Sequence, residues 1–184
     1  MIEEVSLTDG VVLRPVTEQD AEALLQAYLR NGDHLRRWEP RRPADFFTVA
    51  GQALRLKDLV QQHAQGRAVP WVLADGDRVV GRVTLNNIVR GPFLSADLGY
   101  WVDAGYAGRG LTTRAVVEVC RIADEDLGLH RIAAGTLLDN VASQSVLAKA
   151  GFEPYGVAPS YLEIDGKWQD HRMFQRILND RPAM

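Results

Sequence analysis

The segment from Tyr100 to Ala115 constrains the fold of this chain more than any other. An apolar strand ends near Val102, glycines follow at positions 105, 108 and 110, and a helix begins at Leu111. Glycine lets backbone N–H groups approach a ligand closely, because it has no Cβ. The helix adds unpaired N–H groups and the positive end of its dipole. The segment therefore predicts a strand, a turn and a helix, with a turn suited to a phosphate or pyrophosphate group.

The spacing of these glycines excludes two common phosphate loops. No Gly-Lys-Ser/Thr follows them, so the turn is not a Walker loop. The order Gly105-x-x-Gly108-x-Gly110 also differs from the dinucleotide fingerprint G-x-G-x-x-G. Taken alone, the cluster favours a simpler interpretation, in which the glycines serve only the backbone geometry of the turn.

A second segment changes that interpretation. The residues from Asn140 to Phe152 lie one helix and one strand downstream and end in a Gly-Phe pair. The two segments, in this order and at this separation, resemble the GNAT superfamily of acetyl-CoA-dependent N-acyltransferases. Within it, the chain is most similar to the RimJ/RimL-like ribosomal-protein N-terminal acetyltransferases. The resemblance covers nearly the whole chain and includes Leu13-Arg14-Pro15 with Asp20, the stretch 34–40, and the stretch 97–101.

The order of apolar patterns predicts the fold class. Residues 111–127 carry a clear helical stripe of apolar side chains. Two Gly-containing turns, at 75–77 and 165–167, predict hairpins. Further strands are predicted at 11–13, 69–74, 78–85, 94–102, 132–138, 161–164 and 168–177, helices at 17–31 and 141–150, a loop at 33–43 and loose helical spacing at 44–65. We expect an α/β (α+β) protein: one GNAT-like domain over residues 1–184, with a mixed, mostly antiparallel central sheet flanked by helices.

Composition narrows the functional classes. A chain of 184 residues with 46% hydrophobic and 24% charged residues is typical of one globular domain. Its formal net charge of −3 argues against broad nucleic-acid binding. Cys120 is the only cysteine, so no internal disulfide can form. Neither a membrane-spanning run nor a signal-peptide pattern is present, which makes a cytoplasmic location the expectation. The four histidines show no metal-ligand spacing, and we expect no metal site.

The resemblance implies that acetyl-CoA is the acyl donor. Coenzyme A carries a pyrophosphate and a ribose phosphate, so its site needs several N–H donors and some positive charge. Asn140 suits the amide-rich pantetheine arm, although an asparagine just before a helix also fits a capping role. Ala107 and Thr112 depart from the family's loop pattern at its two ends. The predicted CoA-binding residues are Trp101, Val102, Ala107, Gly108, Arg109, Gly110, Leu111, Thr112, Asn140, Ser143 and Lys149.

Acyl transfer to an amine needs a neutral amine, a polarised carbonyl and help for the leaving thiolate. An α-amine has a reference pKa of about 7.7–8.0, against about 10.4 for lysine, so a weak base suffices for a protein N-terminus. Asp97 stands where relatives often have glutamate, and we expect it to act as base or to position the amine. Ala148 stands where many GNAT enzymes have a tyrosine acid, and the resemblance to RimL-like enzymes implies that Ser143 takes this role.

The late strand departs from the RimL-like pattern. By that resemblance a glutamate belongs there, but the chain has Leu162 at the position and Glu163 beside it. Adjacent strand residues face opposite sides of a sheet, so Glu163 is not expected to substitute. His171 follows Asp170 in the final strand, and two roles are open for it: facing the acceptor site, or a structural role, which we favour.

These observations predict acetyl transfer to a primary amine by direct attack in a ternary complex, with a protein N-terminal α-amine as the favoured acceptor. Trp38, Arg36, Arg37 and the 33–45 loop are expected to help form the acceptor groove. Two alternatives stay open: a small-molecule acceptor such as an aminoglycoside, polyamine or amino acid, and a protein that binds acyl-CoA without turnover. The sequence also leaves open a donor other than acetyl-CoA and a homodimer.

Overall fold

The structure, a computed structural model, describes residues 3–8 and 10–183. In this part of the chain, eight strands form one sheet, which is antiparallel except for one central pair. The strands are β1 (Val5–Thr8), β2 (Val11–Pro15), β3 (Val69–Asp75), β4 (Arg78–Val89), β5 (Ser95–Val102), β6 (Arg131–Leu137), β7 (Glu153–Ile164) and β8 (Lys167–Ile177). Their spatial order is β1-β2-β3-β4-β5-β6-β8-β7. The predicted fold class, a mixed and mostly antiparallel sheet in a single domain, is confirmed.

Helices cover both faces of this sheet. They are α1 (Ala21–Arg30), α2 (Gly32–Arg36), α3 (Val49–Ala64), α4 (Leu111–Glu125) and α5 (Val141–Lys149). One core cluster joins α4 to the sheet and includes Trp71 and Leu73 of β3. A second cluster joins α1 and α3 to the opposite face and includes Val72. The alternation along β3 explains why nearly all of this strand is buried, since it has a helix layer on each side.

The parallel pair β5 and β6 shapes the functional region. Its register runs from Ser95 opposite Arg131 to Asp97 opposite Ala133 and ends there. Strand β5 nevertheless continues along β4 as far as Val102. The two parallel strands therefore separate beyond Asp97, and the sheet opens into a gap between the second halves of β5 and β6.

Several local features differ from the predictions, and strand β7 begins at Glu153 rather than at 161. The predicted loop 33–43 begins with α2, because Leu35 supplies a buried side chain that the polar composition of the segment hides. Strand β4 runs past its predicted end to Val89. A bulge there holds Asn87 in the left-handed region, with φ of 49°, and so accommodates an asparagine pair inside the strand. Strand β1, a short edge strand, was not predicted.

The predicted first strand and helix start are joined by a buried ion pair. Arg14 donates two hydrogen bonds to Asp20, at 2.6 and 3.0 Å. Asp20 also accepts from the backbone N–H of Thr17, which completes a capping box around a short 3₁₀ turn ahead of α1. This contact fixes α1, and with it the α2 segment that follows, against the sheet.

Candidate active site

The gap between β5 and β6 opens into a cavity of about 480 Å³. The segment after α2, β5, the glycine turn, β6, α5 and the β7–β8 hairpin all contribute to its lining. Arg109, Leu111 and Asp97 do not line it. The predicted CoA-binding residues that do are Trp101, Val102, Ala107, Gly108, Gly110, Thr112, Asn140, Ser143 and Lys149. Most of the predicted set is thus brought together around one space.

The glycine turn presents an uncapped helix N-terminus to this cavity. Gly108 and Gly110 have φ values of 75° and 77°, a region that other residues avoid. The first bond of α4 runs from the N–H of Arg114 to the carbonyl of Gly110, so the N–H groups of residues 111–113 have no helical partner. The first turn carries no acidic residue and no side-chain cap. This is the arrangement that favours a bound phosphate.

Two residues of the predicted set contribute differently from the rest. The side chain of Leu111 is buried in the core, so only its backbone N–H is available to a ligand. Arg109 is exposed, and its guanidinium lies 5.4 Å from the centre of the Tyr106 ring. Neither side chain contacts the cavity in this arrangement.

Asp103 anchors the glycine turn to α1, a role that the sequence did not indicate. Its carboxylate accepts from Arg30 Nε at 2.7 Å, from Asn31 Nδ2 at 3.0 Å and from the N–H of Gly105 at 2.8 Å. Asn31 in turn accepts from the N–H of Ala104 at 2.9 Å. Burial acts to raise the pKa of Asp103, but the hydrogen bonds from Asn31, Arg30 and Gly105 outweigh it and lower that pKa to about 2. The carboxylate is therefore ionised at neutral pH and holds the turn in place.

Ser143 is held at the cavity by two residues. The carbonyl oxygen of the Asn140 side chain accepts from the N–H of Ser143 at 3.1 Å, so Asn140 does cap α5 while it lines the cavity. The hydroxyls of Ser143 and Tyr100 lie 2.8 Å apart. The Tyr100 hydroxyl also donates to the Ser143 carbonyl at 3.2 Å. Burial raises the pKa of Tyr100 to about 12, although the hydrogen bond to Ser143 acts to lower it.

Two side chains of the lining differ in what they offer a ligand. The hydroxyl of Thr136 on β6 is enclosed and, within the described part of the chain, has no hydrogen-bond partner. Such a group destabilises a protein. Lys149, at the end of α5, adds a cation to the same lining. An uncapped helix N-terminus and a lysine together fit the phosphates of coenzyme A.

The mouth of the cavity is formed by the segment that follows α2. Trp38, Glu39 and Pro40, all in the 33–45 loop, line the cavity. Glu39 also borders a second cavity of about 380 Å³, whose lining includes Arg36. Arg37 instead forms an ion pair with Asp139. Of Trp38, Arg36 and Arg37, only Trp38 therefore lines the large cavity.

The β7–β8 hairpin closes the other side of the mouth. Leu162 lines the cavity and Glu163 does not, as the alternation of strand residues predicted. His171, expected to be structural, also lines the cavity while only 4% of its surface is exposed. Its ring centre lies 5.2 Å from that of Tyr161.

Asp97 lies beside this cavity rather than in its wall. It is the last residue of β5 that pairs with β6, and its carboxylate accepts from Asn87 Nδ2 at 2.9 Å. Burial, and then the charge of Asp97, raise the pKa of Tyr161. The charge of Asp97 therefore acts on the β7–β8 hairpin, and one of its carboxylate oxygens already accepts a hydrogen bond from the Asn87 amide.

These features, a sheet opened between two parallel strands and a phosphate site at one end of the gap, are those of an acyl-CoA-dependent N-acyltransferase. Residues 11–153 match the family described as an acetyltransferase (GNAT) domain, and the chain belongs to that family. The predicted GNAT membership and RimJ/RimL-like character are confirmed by the relatives it matches.

Three relatives support this assignment. The [Ribosomal protein uS5]-alanine N-acetyltransferase of Escherichia coli (strain K12) is 36% identical over 89% of this chain and 86% of its own length. The crystal structure of the ribosomal-protein-S5-alanine acetyltransferase from Vibrio fischeri has a TM-score of 0.93 and 34% identity, covering 97% of this chain and 98% of that one. The structure of Mycobacterium smegmatis RimJ in complex with CoA-disulfide has a TM-score of 0.89 and 32% identity, covering 95% of this chain and 86% of that one.

Two further features of the described residues bear on the class of protein. None of their helices combines the length and apolar character needed to cross a bilayer. No three or more of their His, Cys, Asp or Glu side chains are grouped so that they could hold a metal ion.

Proposed function

We propose that this protein transfers the acetyl group of acetyl-CoA to the α-amine of a ribosomal protein, by direct attack in a ternary complex. The observation that carries the proposal is one continuous cavity, which runs from the phosphate turn past Ser143 to the mouth at Trp38. The relatives from E. coli and V. fischeri, which are named for the alanine of a ribosomal protein, support this class of acceptor. A ribosomal acceptor also favours a cytoplasmic location.

The donor site uses the end of the gap beneath α4. We assign the pyrophosphate to the N–H groups of the 107–113 segment, with Lys149 as a nearby cation. The pantetheine arm would lie along β5 beyond Asp97, where the strand has lost its β6 partner and its backbone groups on that side need new ones. Asn140 supplies a further contact. The CoA-disulfide bound to M. smegmatis RimJ supports a coenzyme A ligand.

We assign the pair Ser143 and Tyr100 to the leaving thiolate. A thiol has a reference pKa near 8.5, so a phenol with a pKa of about 12 would lose roughly 5 kcal/mol by giving its proton away fully. The serine hydroxyl is a weaker acid still. The pair therefore acts by donating hydrogen bonds to the developing negative charge, and the thiolate needs no stronger acid.

The mouth fits the end of a peptide chain. Trp38 and Leu162 supply apolar surface, and Glu39 is the one carboxylate that lines the space among the described residues. An α-amine enters mostly protonated at neutral pH and has to lose a proton before it can attack.

A panel of acceptors tests the proposal. The purified protein would be incubated with acetyl-CoA and peptides of varied N-terminus, polyamines, aminoglycosides or free amino acids, while free thiol release and product mass are followed. A peptide with a blocked N-terminus and an internal lysine is the matched control. We expect release with free N-termini only. Release with small amines alone would contradict the peptide acceptor, and CoA binding without any release would contradict catalysis.

A further inference from the structure

His171 lines the large cavity although it is almost fully buried. It pairs with Leu137 of β6 on one side and with Ala158 of β7 on the other. Gly135 of β6 lies next to the imidazole, and a Cβ there would be 3.6 Å from His171 Cδ2. Gly99 of β5 lines the same cavity. Gly135, which has no side chain, thus leaves room beside the imidazole for a small group.

The hydrogen bonding of the ring defines its tautomer. Nδ1 lies 3.0 Å from the carbonyl oxygen of Gln169. A carbonyl oxygen only accepts, so Nδ1 carries the proton, and in the neutral ring Nε2 then has a free lone pair. No described residue forms a hydrogen bond with Nε2. Among the described residues, the side-chain N and O atoms that are both enclosed and unpaired are Trp71 Nε1 and Thr136 Oγ1. Nε2 of His171 is unpaired but is not one of these enclosed atoms, so it opens onto the cavity.

The other titratable groups near the ring are engaged or placed elsewhere. Glu39 lines the cavity, but its carboxylate lies 3.4 Å from Arg42. Tyr100, with its pKa raised to about 12, is a proton donor rather than an acceptor. His34 is exposed at the mouth. Lys149 lies at the donor end on α5, and Tyr161 packs on the ring itself.

We infer that Nε2 of His171, rather than the carboxylate of Asp97, accepts the proton of the acceptor amine. This inference rests on the proposed function. The amine nitrogen forms a bond to the carbonyl carbon, the C–S bond breaks, and sulfur leaves with the bonding electrons, facing Ser143 and Tyr100. The ammonium gives its first proton to Nε2 before the attack, and the nitrogen gives up a second proton as the amide forms. The departing thiolate takes up one proton, so that the net reaction releases one proton to solvent. The Gln169 carbonyl and the Tyr161 ring hold the imidazole in the orientation that this transfer needs.

Two substitutions at position 171 test the assignment. His171→Gln removes the ring base, and His171→Asn keeps a donor near the position of Nδ1 while it removes Nε2. A general base contributes about 100- to 10,000-fold in rate, so we expect both variants to lose that much in kcat/KM for the acceptor. Calorimetry should show CoA affinity within about twofold of the wild type, since no CoA contact is removed. The acidic limb of the pH–rate profile should flatten.

The matched controls are Asp97→Asn and His63→Gln, the second on α3 and outside the cavity. Activity within about threefold of wild type in both His171 variants would overturn the inference, as would a parallel loss of CoA affinity and thermal stability. A large loss in Asp97→Asn with active His171 variants would return the role to Asp97. If the wild type acetylates small amines but not peptides, only the proposed acceptor is contradicted. The His171 variants are then assayed with the small amine that the wild type accepts. An inactive wild type contradicts both proposals.

Discussion

Replacing Asp103 with asparagine would test how the phosphate turn is held to the rest of the molecule. The substitution keeps the shape of the side chain and removes the charge that accepts from Arg30 and Asn31. The side chain is only 5% exposed, so solvent screens the pair weakly. The pKa of Asp103 is about 2 in the folded protein against an ordinary 3.8, and this difference corresponds to about 2.4 kcal/mol of stability at pH 7.

The pH dependence of this term has a definite sign. The folded pKa lies below the unfolded one, so the contribution is complete above about pH 5 and is lost as the pH falls toward 2. At pH 3 it should have dropped to about 1.3 kcal/mol. Asp103→Asn should therefore be about 2–3 kcal/mol less stable than the wild type at neutral pH, and the difference should roughly halve at pH 3.

Urea unfolding at the two pH values measures this difference. Asp77→Asn is the charge-matched control, because Asp77 is exposed and forms no ion pair with the described residues. It should change the free energy of unfolding by less than about 0.5 kcal/mol. A difference between wild type and Asp103→Asn below about 1 kcal/mol at pH 7, or one that does not shrink at pH 3, would refute the reasoning.

Three other predictions concern the cavity wall. Thr136→Val should raise the free energy of unfolding by about 1 kcal/mol in urea, because it removes an enclosed hydroxyl that has no partner. Thr84→Val should not stabilise the protein, because the Thr84 hydroxyl accepts a hydrogen bond from Arg82. Ser143→Ala and Tyr100→Phe should each lower kcat by about tenfold and leave CoA affinity unchanged. In the double variant, the fold-loss in kcat should be smaller than the product of the two single losses, because the hydroxyls act as a pair. Gly110→Ala should cost about 1 kcal/mol of stability and weaken CoA binding, since φ is 77° there.

The parts of the fold that the sequence predicts best are those fixed by neighbours along the chain. The helix stripe after Gly110 and the two hairpin turns are local signals, and α4 and the β3–β4 and β7–β8 hairpins follow them. Strand β1 is held by pairing with β2, and α2 by burial of a single leucine. Both elements are short, with four residues in β1 and five in α2, which explains why both were missed.

The same distinction separates the predicted and unpredicted parts of the site. The CoA-binding residues follow from a family pattern of two short segments, and most of them meet at one cavity. The pairing of Tyr100 with Ser143 spans 43 positions, and that of Asp103 with Arg30 spans 73. Such contacts depend on how strands are ordered in the sheet, and no pattern within either segment encodes them.

The chemistry of the cavity also bears on how the acetyl group travels. An acetyl-cysteine intermediate would need a thiol at the gap, and Cys120, the one cysteine, lies instead in the core on α4, where burial raises its pKa to about 11. The donor side is built by the glycine turn, α4 and α5, and the acceptor side by the segment after α2 and the β7–β8 hairpin. Because β5 and β6 separate between these two groups of elements, donor and acceptor can reach one another through a single opening in the sheet. The geometry therefore supports direct attack of the amine on bound thioester, without a relay through cysteine.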